Sequence, residues 1–181
     1  MKGMKKIVSV MLVLAMLAIF AAGCGGEGGY SFEDKLKGLS LEEKQTALVL
    51  SDATGKPGET VKVSAYLCHN PGICGYSFCM KQPEGFSVKN EQVTMKDNSY
   101  SYTKRDTDGN GINFAWTNLT ACTDDRVIAE CEMTIPSDAA AGEYEVQLIF
   151  RANYDMFYTV ADDGSMPQFD VKPVTGTITV E

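Results

Sequence analysis

The amino-acid sequence predicts an all-β domain of two stacked sheets, and three observations carry that expectation. From Thr46 onward the chain is a succession of short runs rich in Val, Thr, Tyr, Phe and Ile, separated by turn residues at a spacing of roughly 8–12 residues. Several runs alternate. Val61, Val63, Ala65 and Leu67 oppose Lys62, Ser64 and Tyr66, Ala129, Cys131, Met133 and Ile135 oppose Glu130, Glu132 and Thr134, and Ile112, Phe114 and Trp116 oppose Asn113, Ala115 and Thr117. One apolar face per strand belongs to antiparallel sheets wetted on one side, and two such sheets close on each other as a sandwich. The length agrees, because the residues beyond the N-terminal leader suffice for one ordinary domain.

Along the chain, Ser31 to Gln45 carries weak helical signals, with Ser40 and Glu43 spaced as a capping box, and is read as a short helix or an ordered linker. Nine strands follow: Thr46–Ser51, Thr60–Cys68, Ile73–Lys81, Phe86–Met95, Ile112–Thr117, Val127–Ile135, Tyr144–Arg151, Met156–Val160 and Gly176–Val180. The turns between them are Lys56-Pro57-Gly58, Asn70-Pro71-Gly72, Asp106 to Gly111 and Asp163-Gly164.

The N-terminus reads as an export signal. Met1 to Lys6 holds three lysines, Ile7 to Phe20 has neither charge nor helix breaker, and Ala21-Ala22-Gly23-Cys24 ends the run with small residues and a cysteine. The apolar stretch is shorter than the roughly 20 residues of a membrane-spanning helix. AAGC resembles the lipobox of bacterial lipoproteins, with Ala21 where Leu is usual. That resemblance implies a diacylglycerol on Cys24 and cleavage before it. Gly25-Gly26-Glu27-Gly28-Gly29 is then a flexible leader between lipid and domain. The expected organisation is a signal peptide over 1–23, the lipidated cysteine and linker over 24–45, and the sandwich over 46–181. The expected location is outside the cytoplasm, held to the cell membrane or surface by lipid.

Charge excludes more than it selects. Loss of Lys2, Lys5 and Lys6 leaves 13 basic residues against 24 acidic ones, a net charge of −11. Nucleic acid and anionic lipid surfaces reward clustered Lys and Arg, so neither is expected as a partner. Five cysteines remain beside Cys24: Cys68, Cys74, Cys79, Cys122 and Cys131. The odd number leaves at least one outside any internal pairing, and their connectivity is not legible; all five could equally be small buried hydrophobes. There is no CxxC pair and His69 is the lone histidine, so zinc spacing is absent.

The order of the motifs resembles that of cohesin modules. DATGKPGETVKV (Asp52–Val63), NPGICGYSFCMK (Asn70–Lys81), GNGINFAWTN (Gly109–Asn118), DDRVIAECEMTIPSDAAAGEYEVQL (Asp124–Leu148) and TGTITV (Thr175–Val180) follow the family's succession of turns and strands over about 135 residues. The resemblance implies a nine-stranded jelly roll without catalytic activity or cofactor. Its implied partner is a dockerin on a secreted glycoside hydrolase or related protein, as in cellulosome assembly. In the family one flat sheet face, built from outward residues of the third, fifth, sixth and eighth strands, meets the dockerin. Carried over, these positions are Gly75, Ser77, Cys79, Ala115, Thr117, Asn118, Met156 and Tyr158. Type I members place Asn and Asp where this chain has Gly75 and Ser77, and an acidic residue where it has Tyr158, so the face here is smaller and more apolar.

Other chemistry is weaker. Asp106-Thr-Asp108-Gly-Asn110-Gly111 matches half of a calcium loop, but Thr117 stands where the bidentate Glu is needed, and a hairpin loop explains it better. No metal is therefore expected. Cys68 and His69 are adjacent, so on a strand they point to opposite faces and cannot form a nucleophile–base pair. Asp124-Asp125 and Asp162-Asp163 suit turns better than paired glycosidase carboxylates. Tyr66, Tyr76, Tyr100, Tyr102, Trp116, Tyr154, Phe157 and Tyr158 supply aromatic residues; Trp116 falls inward by alternation, while Tyr100, Tyr102 and Tyr158 as outward rings keep a lipoprotein that binds polysaccharide directly as the alternative function.

Overall fold

The computed structural model describes residues 30–95, 100–105 and 111–181. The signal peptide, Cys24 and residues 106–110 of the expected hairpin loop lie outside the described residues. Within them are one helix, α1 (Phe32–Lys37), and twelve strand segments: β1 (Ala47–Leu50), β2 (Ala53–Gly55), β3 (Thr60–Cys68), β4 (Ile73–Lys81), β5 (Ser87–Val93), β6 (Tyr100–Arg105), β7 (Ile112–Cys122), β8 (Arg126–Thr134), β9 (Gly142–Ile149), β10 (Met156–Thr159), β11 (Lys172–Val174) and β12 (Gly176–Val180). They form two sheets. One has the order β11-β1-β3-β8-β5, and the other β2-β12-β9-β4-β7-β6 with β10 also paired to β4.

Three of these strands are interrupted rather than independent. β1 and β2 belong to different sheets, as do β11 and β12, and the two crossings run side by side: β1 pairs with β11 in parallel and β2 with β12 in parallel. The crossing is tight enough to require glycine, since a Cβ on Gly176 would lie 2.5 Å from the Ser51 carbonyl oxygen and 3.0 Å from Leu50 Cβ. β9 and β10 share β4 as a neighbour, β9 along Cys79–Lys81 and β10 along Ile73–Ser77. Each interrupted pair taken as one, the twelve segments make the nine strands of the sandwich. Three segments went unanticipated: the short β2 and β11, and β6, which has no buried face because both its sides meet solvent.

The alternation sorts side chains as expected. Val63, Ala65, Leu67, Ala129, Met133, Ile135, Ile112 and Phe114 have no exposed surface, and Trp116 is buried among them. Phe78 stacks on Phe114 with ring centroids 5.3 Å apart, and Tyr76 donates its hydroxyl to the Ile128 carbonyl at 2.7 Å. Removing a ring such as Phe114 from such a core costs on the order of 3–5 kcal/mol. Between the sheets at one edge, Arg105 of β6 reaches Glu91 of β5, Nη2 to Oε2 at 2.6 Å.

The N-terminal segment departs from the expected capping box. Ser31, not Ser40, caps the helix, its hydroxyl accepting from the Asp34 N–H at 3.4 Å, and Gly38 ends it. Residues around Glu42 form a turn instead, closed by Gln45 N–H to the Glu42 carbonyl. Tertiary contact decides the placement. Phe32, Leu36, Leu39 and Leu41 pack over Ala47, Val49 and Cys68, so β1 is buried on both sides. Phe32 stacks on Tyr66 at 4.7 Å between centroids. Lys35 Nζ bonds Asp52 Oδ1 at 2.6 Å and the carbonyls of Leu50 and Thr175, while the Tyr30 hydroxyl donates to Asp52 Oδ2 at 2.8 Å.

Candidate docking face

Among the described residues, the outer face of the second sheet has no such cover. Pairing across β10, β4, β7 and β6 sets two transverse rows: Tyr158, Gly75, Thr117 and Tyr100 form one, and Met156, Ser77, Ala115 and Tyr102 the next. Small residues thus occupy the two central strands, and large ones the two flanking strands. The result is a shallow trough of about 300 Å³, floored by Gly75, Ser77, Ala115 and Thr117 and walled by tyrosines and methionines, with Tyr154 and Met166 at its rim. Tyr100, Tyr102 and Tyr154 are 69, 43 and 72 % exposed, unusual for rings on a folded surface.

Six of the eight residues nominated from the sequence line this trough. Cys79 does not: it lies a row further along β4, where β9 has replaced β10 as neighbour, opposite Asn113 and Ile149, and it is 5 % exposed. Asn118 does not either. The β4–β7 register shifts beyond the Gly75–Thr117 pair, and residues 118–121 leave the ladder, with Leu119 97 % exposed. The Asn118 Oδ1 accepts its neighbour's N–H, and the residue lines a separate polar depression with Thr120, Asp124 and Arg126. The sequence reading left Tyr100, Tyr102, Tyr154 and Met166 out of the face. Its available signal was the Tyr-Ser-Tyr-Thr alternation of 100–103, which marks an edge strand with tyrosines on one side.

The loop before β10 fixes one wall. The Asp155 side chain has no exposed surface and accepts from Arg151 Nε at 2.7 Å, Arg151 Nη2 at 2.8 Å, the Arg151 backbone N–H at 2.7 Å and the Ser77 hydroxyl at 3.1 Å. Burial alone would raise its carboxyl, but the Arg151 hydrogen bonds and charge, with the Ser77 hydroxyl, hold it below the usual carboxylate range. Ser77 is therefore a buttress of the trough wall and not an idle surface hydroxyl. The Arg151 guanidinium also lies 6.0 Å from the Tyr154 ring centroid, steadying the rim.

The remaining candidates take structural places. His69 follows β3 with a positive φ of 51°, its Nδ1 3.0 Å from the Gln45 carbonyl, while Cys68 is buried and points its thiol at the Ala47 carbonyl. Asp125 accepts the backbone N–H groups of His69 and Asn70 at 3.0 and 2.9 Å, and Asp124 pairs with Arg126. Asp163 accepts the Ser165 N–H at 2.9 Å, a turn that holds its carboxyl below the ordinary range. β6 and β7 pair antiparallel up to Arg105 and Ile112, so strands flank the Asp106–Gly111 loop on both sides. Cys68, Cys74, Cys122 and Cys131 carry thiols outside any disulfide, and burial pushes the Cys131 thiol up to about 12. Among the described residues no group of three or more His, Cys, Asp and Glu is placed to hold a metal ion, and no helix is long and apolar enough to cross a membrane.

No protein-family model and no curated protein matches the chain. Solved structures do. The seventh ScaB type I cohesin of Pseudobacteroides cellulosolvens superposes with a TM-score of 0.64 at 18 % identity, covering 76 % of this chain and 92 % of that one. The sixth cohesin of the Acetivibrio cellulolyticus scaffoldin B, solved in complex with a Cel5 dockerin, gives 0.66 at 17 %, over 76 and 99 %. A non-cellulosomal cohesin of the archaeon Archaeoglobus fulgidus gives 0.61 at 14 %, over 76 and 91 %. With identities this low the similarity is one of architecture, and on it the chain has the two-sheet jelly-roll fold of the cohesin modules.

Proposed function

We propose that the chain is a non-catalytic docking module that binds, through the trough, a dockerin carried by a secreted polysaccharide-degrading enzyme. One observation carries the reading: four strands of one sheet gather Gly75, Ser77, Ala115, Thr117, Met156 and Tyr158 with exposed tyrosines into a single uncovered face. Similar structures include cohesin–dockerin complexes, which makes a dockerin the first partner to test. The centre of the face is apolar and its rim carries the tyrosine hydroxyls, the composition of a protein-binding patch. Cleavage before Cys24 and lipid on that cysteine would keep the docked enzyme at the cell surface, with 24–45 as leader. A second reading, direct glycan binding, draws on the same exposed tyrosine rings.

The test is a pull-down from culture supernatant on the full chain, with the captured proteins identified by mass spectrometry. Enrichment of dockerin-bearing proteins is the expected result. Their absence, together with retention of the chain on insoluble polysaccharide, would replace the first reading with the second. A Cys24→Ser change should release the protein from the membrane fraction.

A further inference from the structure

We propose that strand β6, at one edge of the second sheet, is a self-association edge. Two copies of the chain pair their β6 strands antiparallel about a two-fold axis and continue one sheet into the other. An open strand edge carries a row of unpaired N–H and C=O groups, and folded proteins blunt such edges. Among the described residues the other edges are blunted. β11 is three residues long with Pro173 at its centre, and β2 is three residues long. β5 carries a bulge between Val88 and Asn90, and its Lys89 carbonyl accepts from Arg105 Nη2 at 3.3 Å. The outer side of β10 is bonded by the chain returning along it, through Phe169 N–H to the Phe157 carbonyl and Thr159 N–H to the Pro167 carbonyl. β6 differs. Over Tyr100–Arg105 it pairs with β7 in unbroken register, contains neither proline nor glycine, and has no partner on its other side among the described residues. Its tyrosines and threonine are residues that favour strand pairing.

The strand is complementary to itself, which makes a second copy the occupant. Tyr100, Tyr102 and Lys104 share the outer face with their β7 partners Thr117, Ala115 and Asn113. A continuous sheet keeps them on that face when the two-fold stands perpendicular to the sheet and one residue lies opposite its own copy. With Tyr102 on the axis, Tyr100 stands opposite Lys104 of the second copy, Ser101 opposite Thr103, and no like charges meet. Arg105 is turned to Glu91 at 2.6 Å and stays out of the contact. Ring against ring and cation against ring are both favourable cross-strand pairs, and they cover tyrosines that a single chain exposes. Six residues a side is far fewer than the roughly 20–30 of a stable interface, so the association is weak and depends on concentration.

Sedimentation equilibrium of the full chain in density-matched detergent, from about 10 µM to 1 mM, measures it. A monomer–dimer equilibrium is the expected result. Tyr102→Lys sets two cations face to face on the axis and should weaken it at least about tenfold, with the melting temperature within about 2 °C of wild type. Cross-linking reads the register. Residues directly opposite have Cα atoms about 4.5–5.5 Å apart, inside disulfide range, whereas Tyr100 and its copy would stand about 14 Å apart. Under mild oxidation Tyr102→Cys should form linked dimers at least about tenfold faster than Tyr100→Cys or the wild type, which carry the same native thiols. A chain that stays monomeric throughout, a dimer indifferent to Tyr102→Lys, or equal cross-linking of the two cysteine variants would overturn the inference. So would preferential cross-linking of the Tyr102→Cys chain to another protein in cell extract. Neither readout involves a partner in the trough, so this inference and the docking reading fail independently.

Discussion

The outer face of the five-stranded sheet presents Ala47, Val49 and Cys68, and the chain's own residues 30–45 cover them with Phe32, Leu36, Leu39 and Leu41. The outer face of the opposite sheet presents Gly75, Ser77, Ala115 and Thr117, fenced by exposed tyrosines, and no segment among the described residues packs over them. The difference lies in the handling of apolar surface. The first face is self-sufficient: its aromatic pair, Phe32 on Tyr66, and its ion pair, Lys35 with Asp52, are intramolecular. The second keeps rings at the surface at the cost of solubility, which a folded protein tolerates where a partner covers them. The two faces should therefore respond oppositely to mutation, the first in stability and the second in binding.

The largest expected effect is on binding. Thr117→Arg places a long cation on the trough floor and should weaken partner capture at least about a hundredfold, with the melting temperature within about 2 °C of wild type. Calorimetry of the variant would show at once whether the loss is one of folding. Next, Lys35→Ala should lower the unfolding free energy by about 1–2 kcal/mol, a figure already discounted for the part of Asp52 that faces water, and leave partner affinity unchanged. A drop in affinity there would mean that the two faces are coupled. Smaller again, Tyr102→Ala should cost about tenfold in affinity and under about 0.5 kcal/mol in stability, measured by titration and urea unfolding.

The smallest effects are in pH: acid acts on both faces, and alkali on the covered one. Burial tends to raise the Asp52 carboxyl, but bonds from Lys35, Tyr30 and the Thr177 N–H hold it below the usual range. A lowered carboxyl contributes stability above its unfolded value, near about 3.9, and loses it as pH falls through the folded value. Asp155 behaves alike, so acid loosens both faces. At the alkaline end the Tyr30 phenol is pushed up to about 12 by burial and by Asp52. Its stabilisation is intact below about 10 and lost as pH climbs from there towards 12. Wild type should melt above Tyr30→Phe near pH 10, and the gap between them should close across that interval. Parallel curves would show that the Tyr30–Asp52 bond does nothing for the covered face.

The strands with one buried side were legible residue by residue. Val61 to Leu67 and Ala129 to Ile135 declare their inner face by period two alone, and Ile112, Phe114 and Trp116 do the same. β6 was harder to read because neither of its sides is buried, so only the Tyr100–Thr103 alternation, and no buried apolar face, marks it as a strand. The helix was misplaced for a different reason. Ser40 and Glu43 satisfy a four-residue capping pattern, but Ser31 starts the helix because Phe32 and Leu36 then land on the Ala47 and Val49 face, a contact that no local rule contains. The trough floor was foreseeable from alternation and from the resemblance to cohesins. Its walls depend on which strands pair with β4 and β7, and Cys79 and Asn118 fell away where β9 takes over as neighbour and where β7 leaves its ladder.

The double crossing at Ser51 and Gly176 has a mechanical consequence. The strand nearest the N-terminus is bonded in parallel to the strands at the C-terminus on both sides of that crossing. Tension arriving from before Tyr30 meets the Tyr30 and Lys35 bonds to Asp52 first, then the helix, and only afterwards β1. Against a load shared with the C-terminal end, parallel neighbours slide rather than peel, so their hydrogen bonds must break together and not one at a time. The domain is thus reinforced against load applied between its two described ends.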